Sequence, residues 1–495
     1  MKKYCFFMTE APHWFDVALE LKNEGLAEPI LWLGDDRHFD RAKNVFGENV
    51  VEMLTFVHRP YDLKNIQYLG ENIGFLQSEN YLRAKDKCFK MMDRLDLYGT
   101  FSRIDREVYF HQIIIWTLKK FSKDVPDFLL MAEAPHSHAQ YLIYEICLFL
   151  KIPTYKFNRW TLAPLLFLQD AETNKILKKE RPIKSFLNQK MKKIILDYVD
   201  DVYTKKDKYE ISYMRIHKQK HKFPNNIKRV FKEDLPEIFF DIKHNIANKI
   251  KGRWTSINAY ELSFFTRLKI QKIRAKNLRN QHKKNVENHI NSKPYVYFAL
   301  HYEHERSTNP DGGDFHDQFK AIQCLRKMLP ETIGIVVKEH PSQFLVKGRG
   351  SRGRSPLFYN LIKNTKGLSI VDVNENSVRL IQDSLFISTI SGTVALEASI
   401  LGKKSITFGS TWFPNCPNTF EWNENLNYHD IIEKKVNSLE MVKNYLINHQ
   451  RDYAVVGCQN GSVMRRFSDL INSEFKQEEK DGVKALIQLL IKSYG

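Results

Sequence analysis

Apolar residues fall into short runs separated by polar turns and by stretches with a three- to four-residue repeat. The first run spans residues 4–8 and closes at Thr9-Glu-Ala-Pro-His13. An amphipathic stretch over 14–23 follows, then a second run at 30–33 that ends at Gly34-Asp-Asp36. A later run at 128–131 leads into Glu133-Ala-Pro-His136, a helical stretch at 139–150 and a short strand at 152–155. Strand, loop and amphipathic helix in this alternation predict βαβ units. The same rhythm returns at 295–300, where a strand runs into the loop 301–314 with its Asp311-Gly-Gly313 turn. A helix is expected over 315–329, because Phe315, Phe319, Ile322, Leu325 and Leu329 recur every three or four residues. Asp314 is placed to cap it. Strands at 333–338, 385–390 and 405–408 complete the pattern, and Gly402 closes a helix at 394–401. The expectation is an α/β protein with two doubly wound, Rossmann-type lobes facing a cleft, 1–169 and 292–475. Residues 170–291 read as a basic, mostly helical insertion or annex, and 476–495 as a C-terminal helix.

The charge adds to this picture. In 495 residues, 76 Lys and Arg outnumber 58 Asp and Glu, a net charge of +18. Residues 243–284 hold twelve Lys and Arg against one acid, Glu261. That stretch is either a solvated helical face or a surface for an anionic lipid or polymer. No RNP, KH, helix-turn-helix or zinc-finger pattern accompanies it, so no specific nucleic-acid partner is expected. The six cysteines show no CxxC spacing, which removes zinc and disulfide frameworks and suits reduced thiols in the cytoplasm. Apolar stretches at 141–152 and 162–168 are too short to span a bilayer. The N-terminal run stops at Glu10 and Pro12 and reads as a strand rather than a signal peptide. The expected location is cytoplasmic, with peripheral contact at the inner membrane face as one use of the charge. GxGxxG, GxxxxGK[ST] and GxSxG are all absent, against a dinucleotide oxidoreductase, a P-loop enzyme or an α/β-hydrolase.

Candidate chemistry clusters at strand ends, where open α/β sheets bind ligands. In Ser388-Thr-Ile-Ser-Gly-Thr-Val-Ala-Leu-Glu397 a strand turns directly into a helix. The unpaired N–H groups there carry roughly half a positive charge and suit a phosphate. Ser391 and Thr393 add hydroxyls, Gly392 permits close backbone approach, and Glu397 lies one turn along, where it can accept from ribose hydroxyls. In Lys338-Glu-His-Pro341, His340 leaves a buried strand at the cleft rim, able to donate to a phosphate and to be protonated as charge builds on a leaving group. Lys338 adds a cation. The loop His301-Tyr-Glu-His-Glu-Arg-Ser-Thr308 has three readings: a clamp with Arg306, Ser307 and Thr308 as donors; a metal site of His301, His304, Glu303, Glu305, Asp311, Asp314 and His316; or a solvated loop. In the first lobe, Glu133 and then Glu10 are the candidate general bases, each following a strand. His136 and His138 lie beside Glu133. The tetrapeptide Glu-Ala-Pro-His occurs at both places.

The strand end at 299–303, the Asp-Gly-Gly turn, Asp317-Gln318, Leu329-Pro330, Lys-Glu-His-Pro and the later Ser-Gly-Thr-x-x-x-Glu-Ala segment with Gly402-Lys403 and Phe408-Gly409 resemble capsular and surface polysaccharide biosynthesis proteins. These are GT-B glycosyltransferases akin to bacterial Kdo transferases and sialyltransferases, with an HP motif and a Ser/Thr motif. The resemblance covers residues 295–413, and a proline often stands in that family where this chain has His304. It implies a GT-B-like fold and a CMP- or UDP-linked nucleotide-sugar donor on the C-terminal lobe. It also implies metal-independent transfer without a cofactor, to a surface polysaccharide or a lipid-linked, acidic glycan acceptor. His340, Lys338 and the Ser391–Thr393 turn would take the phosphate, and Glu397 the ribose. A nucleotide-sugar 2-epimerase of the same fold is the alternative enzyme. A nucleic-acid-binding protein and a metal-dependent hydrolase are the others.

Overall fold

A computed structural model describes residues 1–34, 38–52, 73–95, 102–135, 137–179, 186–204, 239, 264–287, 294–303, 305–344 and 350–493. The strands of the first half are β1 (Lys2–Phe7), β2 (Ala27–Gly34), β3 (Val50–Glu52), β4 (Phe128–Met131), β5 (Thr154–Arg159) and β6 (Leu165–Asp170). The second half supplies β7 (Tyr295–Ala299), β8 (Gly334–Lys338), β9 (Leu368–Val371), β10 (Ile387–Thr389), β11 (Ser405–Thr407), β12 (Thr419–Glu421) and β13 (Val455–Val456). They form two sheets, one of seven strands in the order β13-β6-β5-β4-β1-β2-β3 and one of six in the order β12-β11-β10-β7-β8-β9. The second is parallel throughout. The first is parallel from β5 to β3, with β6 and β13 added antiparallel. This is the α/β class with two doubly wound lobes expected from the chain's pattern.

Side chains of a strand alternate between faces, and in a parallel sheet both faces are covered, so the strands read as unbroken apolar runs. In β1, Tyr4 and Phe6 enter a layer with Trp14, Phe15 and Leu21 of the helix His13–Asn23. Cys5 and Phe7 enter the opposite layer with Phe110 and Ile113 of the helix Arg103–Lys123 and Ile143 of the helix His138–Phe149. The second sheet repeats this. Val296 and Phe298 of β7 face the helices Gln318–Met328 and Pro356–Lys363, while Tyr295 and Tyr297 face the other way.

The described parts of 170–291 include two helices docked on the second lobe. Phe186–Thr204 buries Leu187, Met191, Ile195, Val199 and Val202, a one-face repeat, into the core that holds Ala395 and Leu396. Phe264–Asn285 buries Leu278 beside Tyr359, and Gln281 Nε2 donates to Asn360 Oδ1 at 2.6 Å. Its Lys272, Arg274, Lys276, Arg279, Lys283 and Lys284 are exposed. The remainder of the basic stretch 243–284, residues 243–263, lies outside the described residues.

Two boundaries differ from those expected. The helix expected over 315–329 spans Gln318–Met328, because the Asp317 carboxylate rather than Asp314 accepts the first-turn N–H, from Phe319 at 3.0 Å. Residues 455–475, read above with the second lobe, return to the first. Val455 pairs with Leu166 in β6, and the helix Ser473–Lys492 sets Val483, Leu486, Ile487 and Leu490 against Trp14 and Leu21. A two-residue strand carries no periodicity from which to read this.

Candidate functional site

The order β10-β7-β8 brings three strand ends side by side on one edge of the second sheet. The loops that leave them carry Ser391-Gly392-Thr393, His301–Thr308 and His340-Pro341. His301 ties the three together. Its Nε2 accepts the Ser391 N–H at 3.1 Å and lies 3.1 Å from Thr389 Oγ1. A backbone N–H can only donate, so Nε2 is the acceptor and the neutral ring carries its proton on Nδ1, 3.3 Å from Ser307 Oγ. Burial, with the Arg354 charge adding to it, pushes this imidazole down to about 4, so the ring is neutral at neutral pH. The His301 carbonyl accepts from Arg354 Nη2 at 3.0 Å.

Arg354 in turn pairs with buried Glu339, Nε to Oε2 at 2.9 Å. Tyr359 OH donates to the same oxygen at 2.8 Å, and the His340 N–H donates to Oε1 at 2.7 Å. The carboxylate next to the His-Pro pair is therefore a structural anchor for the His340 backbone. The His340 ring accepts the Ser342 N–H on Nδ1 at 3.2 Å, which leaves Nε2 as its protonated nitrogen in the neutral form. The ring is part-exposed and sits 6.0 Å from the Tyr302 ring, centroid to centroid. Lys338 is buried, and its Nζ donates to Ser377 Oγ at 2.8 Å.

At the other loop, Ser391 Oγ donates to the Ser307 carbonyl at 2.7 Å. Gly392 is required by packing inside the protein. A Cβ there would lie 2.9 Å from Thr389 Oγ1 and 3.3 Å from His301 Nε2. Thr393 enters the helix Val394–Ile400 with helical dihedrals and no side-chain cap. Ser391, Gly392 and Thr393 are all part-exposed. Glu397, one turn on, is buried, and Tyr198 OH from the helix Phe186–Thr204 lies 3.5 Å from its Oε1. Burial pushes its carboxyl up to about 7, with the Tyr198 hydroxyl acting the other way.

Glu10 and Glu133, which open the two Glu-Ala-Pro-His copies, follow neighbouring strands, because β1 and β4 are parallel with Phe7 beside Met131. Both acids reach the start of the helix Gly461–Arg466. Glu10 Oε1 accepts the Gly461 N–H at 2.9 Å, and Glu133 Oε2 accepts from Asn460 Nδ2 at 3.1 Å. Arg306 crosses from the second lobe to meet them. Its Nη1 lies 3.7 Å from Glu133 Oε2 and donates to Gln459 Oε1 at 3.1 Å, and its Nε lies 3.2 Å from Asp311 Oδ2. Arg306 is thus a strut between the lobes. Thr308 is buried, with Oγ1 donating to the Glu305 carbonyl at 2.9 Å, and Ser307 serves His301 and Ser391.

Several groups of the metal reading have other partners. Glu303 accepts from Gln318 Nε2 at 2.6 Å, Asp311 pairs with Arg306, and His316 Nε2 lies 2.7 Å from Asp86 Oδ2. Among the described residues no cluster of three or more His, Cys, Asp or Glu side chains is arranged for a metal. His304 and His136 lie outside the described residues, and His138 is buried at the start of its helix.

The sequence did not single out Arg159, at the end of β5. Burial, and the nearby Arg306, lower its guanidinium to about 10 against the pull of Glu133. A cavity of about 530 Å³ also opens between the lobes. It is lined by Asp311, Gly409 and the end of β4 but by none of His340, Lys338 or Ser391.

No protein-family model matches the sequence, and no curated protein matches it. Among solved structures, the chain is similar to Thermosulfurimonas dismutans KpsC, a beta Kdo 2,7 transferase, at 11% identity, over 70% of this chain and 88% of that one, with a TM-score of 0.27. It is similar to the UDP-GlcNAc 2-epimerase of Methanocaldococcus jannaschii at 12% identity, over 95% and 99% of the two chains, with a TM-score of 0.22. The wall teichoic acid polymerase TagF matches at 16% identity, over 44% of this chain and 49% of TagF, with a TM-score of 0.18. These likenesses concern the general α/β layout.

Proposed function

We propose that the chain is a glycosyltransferase that moves a sugar from a CMP- or UDP-linked donor to a surface-polysaccharide or lipid-linked glycan acceptor. The observation that carries this reading is the His301 tie. It fixes the Ser391–Thr393 turn and the His340 loop on one sheet edge, both part-exposed, opposite a lobe that offers Glu133 and Glu10. In this reading the 391–393 backbone and the Thr393 hydroxyl grip the donor phosphate. His340 Nε2–H donates a hydrogen bond to the phosphate oxygen, stabilising the charge that builds there as the bond from sugar carbon to that oxygen breaks and the nucleotide leaves as an anion. Glu133, or Glu10, takes the acceptor hydroxyl's proton as the new bond to that carbon forms. Lys338 contributes positive charge beneath the phosphate, and Glu397 exchanges its long Tyr198 contact for a ribose hydroxyl. No metal or cofactor has a part.

No described helix is long and apolar enough to cross a membrane. The exposed cations of the helix Phe264–Asn285 are the proposed meeting surface for an acidic glycan or the anionic face of a membrane. A thermal-shift screen of nucleotides and nucleotide sugars identifies the donor, because a ligand of the folded state raises the melting temperature. With that donor, His340→Ala and Thr393→Val each lower transfer by about a hundredfold or more while the protein stays folded. Folded variants with normal turnover would overturn the reading. Conversion of the donor sugar with no acceptor present would replace it by the 2-epimerase.

A further inference from the structure

The interlobe cavity lies beside the proposed donor edge and has its own chemistry. Its 530 Å³ falls within the roughly 300–1,000 Å³ of small-molecule sites. Two lysines line it, Lys87 from the helix Glu79–Leu95 and Lys156 from β5, and each is only 7% exposed. A lysine this deep ordinarily has a carboxylate against its ammonium. Here the Lys156 Nζ stands 3.9 Å from Asp311 Oδ1, and the other oxygen of Asp311 is already held by Arg306 at 3.2 Å. The Lys87 ammonium lies 5.3 Å from the centre of the Tyr141 ring and, among the described residues, has no hydrogen bond or ion pair. Burial lowers the pKa of both, and the Lys87 charge acts on Lys156 in the same direction. Glu145, Asp314 and Asp86 act on Lys87 from a distance, so among the described residues no carboxylate touches its ammonium, and the carboxylate facing Lys156 is shared with Arg306.

A further polar group points to a ligand. Thr407, at the end of β11, is 1% exposed and lines the same cavity, and among the described residues its hydroxyl has no hydrogen-bond partner. Buried hydroxyls are rarely left so. Tyr141, Tyr144 and Trp422 supply aromatic walls for the carbon–hydrogen faces of a sugar ring. Glu172, Lys175 and Glu421 sit at the exposed rim, where water screens them.

We propose that this cavity binds an anionic monosaccharide unit, with its carboxylate or phosphate taken between Lys87 and Lys156 and a ligand oxygen accepting from Thr407 Oγ1. As the acceptor's subsite it rests on the transferase reading; as an anion site it stands on the cavity itself.

Titration calorimetry of the full chain with glucuronate, glucose 6-phosphate and neutral glucose tests it and separates a carboxylate from a phosphate. At least one of the two anions binds, and glucose does not. Lys87→Met and Lys156→Met each weaken that anion by about tenfold or more. Thr407→Val, which removes a hydroxyl that has no partner among the described residues and so spares the fold, weakens it by about threefold or more. The free Lys→Met variants melt no lower than the wild type, whereas lysines needed for structure would lower it. Binding of the nucleotide from the thermal-shift screen is unchanged in all three. The proposal is overturned if both anions bind no better than glucose, if the variants bind the anion as the wild type does, or if nucleotide affinity falls by the same factor. Lysine-dependent anion binding with no nucleotide bound would support the cavity site and remove the transferase reading.

Discussion

Replacing His301 by glutamine and by leucine separates its roles as a hydrogen-bond acceptor and as a buried base. Glutamine can present an oxygen where Nε2 accepts the Ser391 N–H; leucine cannot. Leaving that N–H without a partner costs about 1–3 kcal/mol, so His301→Leu is less stable than His301→Gln by about that amount at neutral pH. The second role shows as pH falls. The folded imidazole is held at about 4 against an ordinary 6.5. The unfolded chain therefore binds the proton first. The stability owed to the neutral ring is complete above pH 6.5 and is lost as pH drops toward 4. At about pH 5 the loss amounts to about 2 kcal/mol, which glutamine does not suffer. Urea unfolding of wild type and both variants at about pH 7.5 and about pH 5 measures it. His449, also held at about 4 by burial, titrates in all three proteins and cancels in the differences. A difference between wild type and His301→Gln that does not change with pH refutes the buried neutral base. Equal stability of the leucine and glutamine variants near neutrality refutes the tie to Ser391.

Arg354→Met strands Glu339 in the core and costs about 3–5 kcal/mol, read as a fall in melting temperature. Adding Glu339→Gln recovers part of it, and a single variant as stable as the wild type would mean that the pair is not buried in solution. Glu397→Gln acts with the opposite sign to His301. The folded carboxyl is raised to about 7 from 4.5, so wild-type stability declines as pH rises between those values, by up to about 3 kcal/mol. Glu397→Gln therefore melts higher than the wild type at about pH 8 and about equally near pH 4.5. A lower melting point at the alkaline end refutes it.

Most of the central strands of both lobes were legible in the chain because a parallel sheet covered on both faces leaves apolar runs that no solvent-facing residue interrupts, whereas β3, β6, β9, β12 and β13 were not read as strands. The His-Pro and Ser-Gly-Thr turns were legible for a related reason, since polar residues collect where such runs stop. Gly392 shows the limit. Its small size was visible as permission for close approach, but the sequence does not say that His301 makes the approach. The repeat Leu187, Met191, Ile195, Val199, Val202 was present in a stretch read mainly by its charge, and it docks a core helix onto the second lobe.

Partner choice is where local pattern stops, because it is set by topology over hundreds of residues. Arg306 carries a charge that suits a phosphate, yet the fold sets it against Glu133 and Asp311 across the lobe boundary. Lys87 and Lys156 sit in stretches that allow a solvated lysine, and only packing of the lobes encloses them. The repeated Glu-Ala-Pro-His falls between these extremes. Each copy marks a strand end on its own, and the pairing of β1 with β4 then sets the two acids side by side at Asn460 and Gly461. A repeat without periodicity thus becomes a spatial pair once two strands are neighbours. The lone charges of such a chain find their partners at that level, and variants that remove one member of each pair test it.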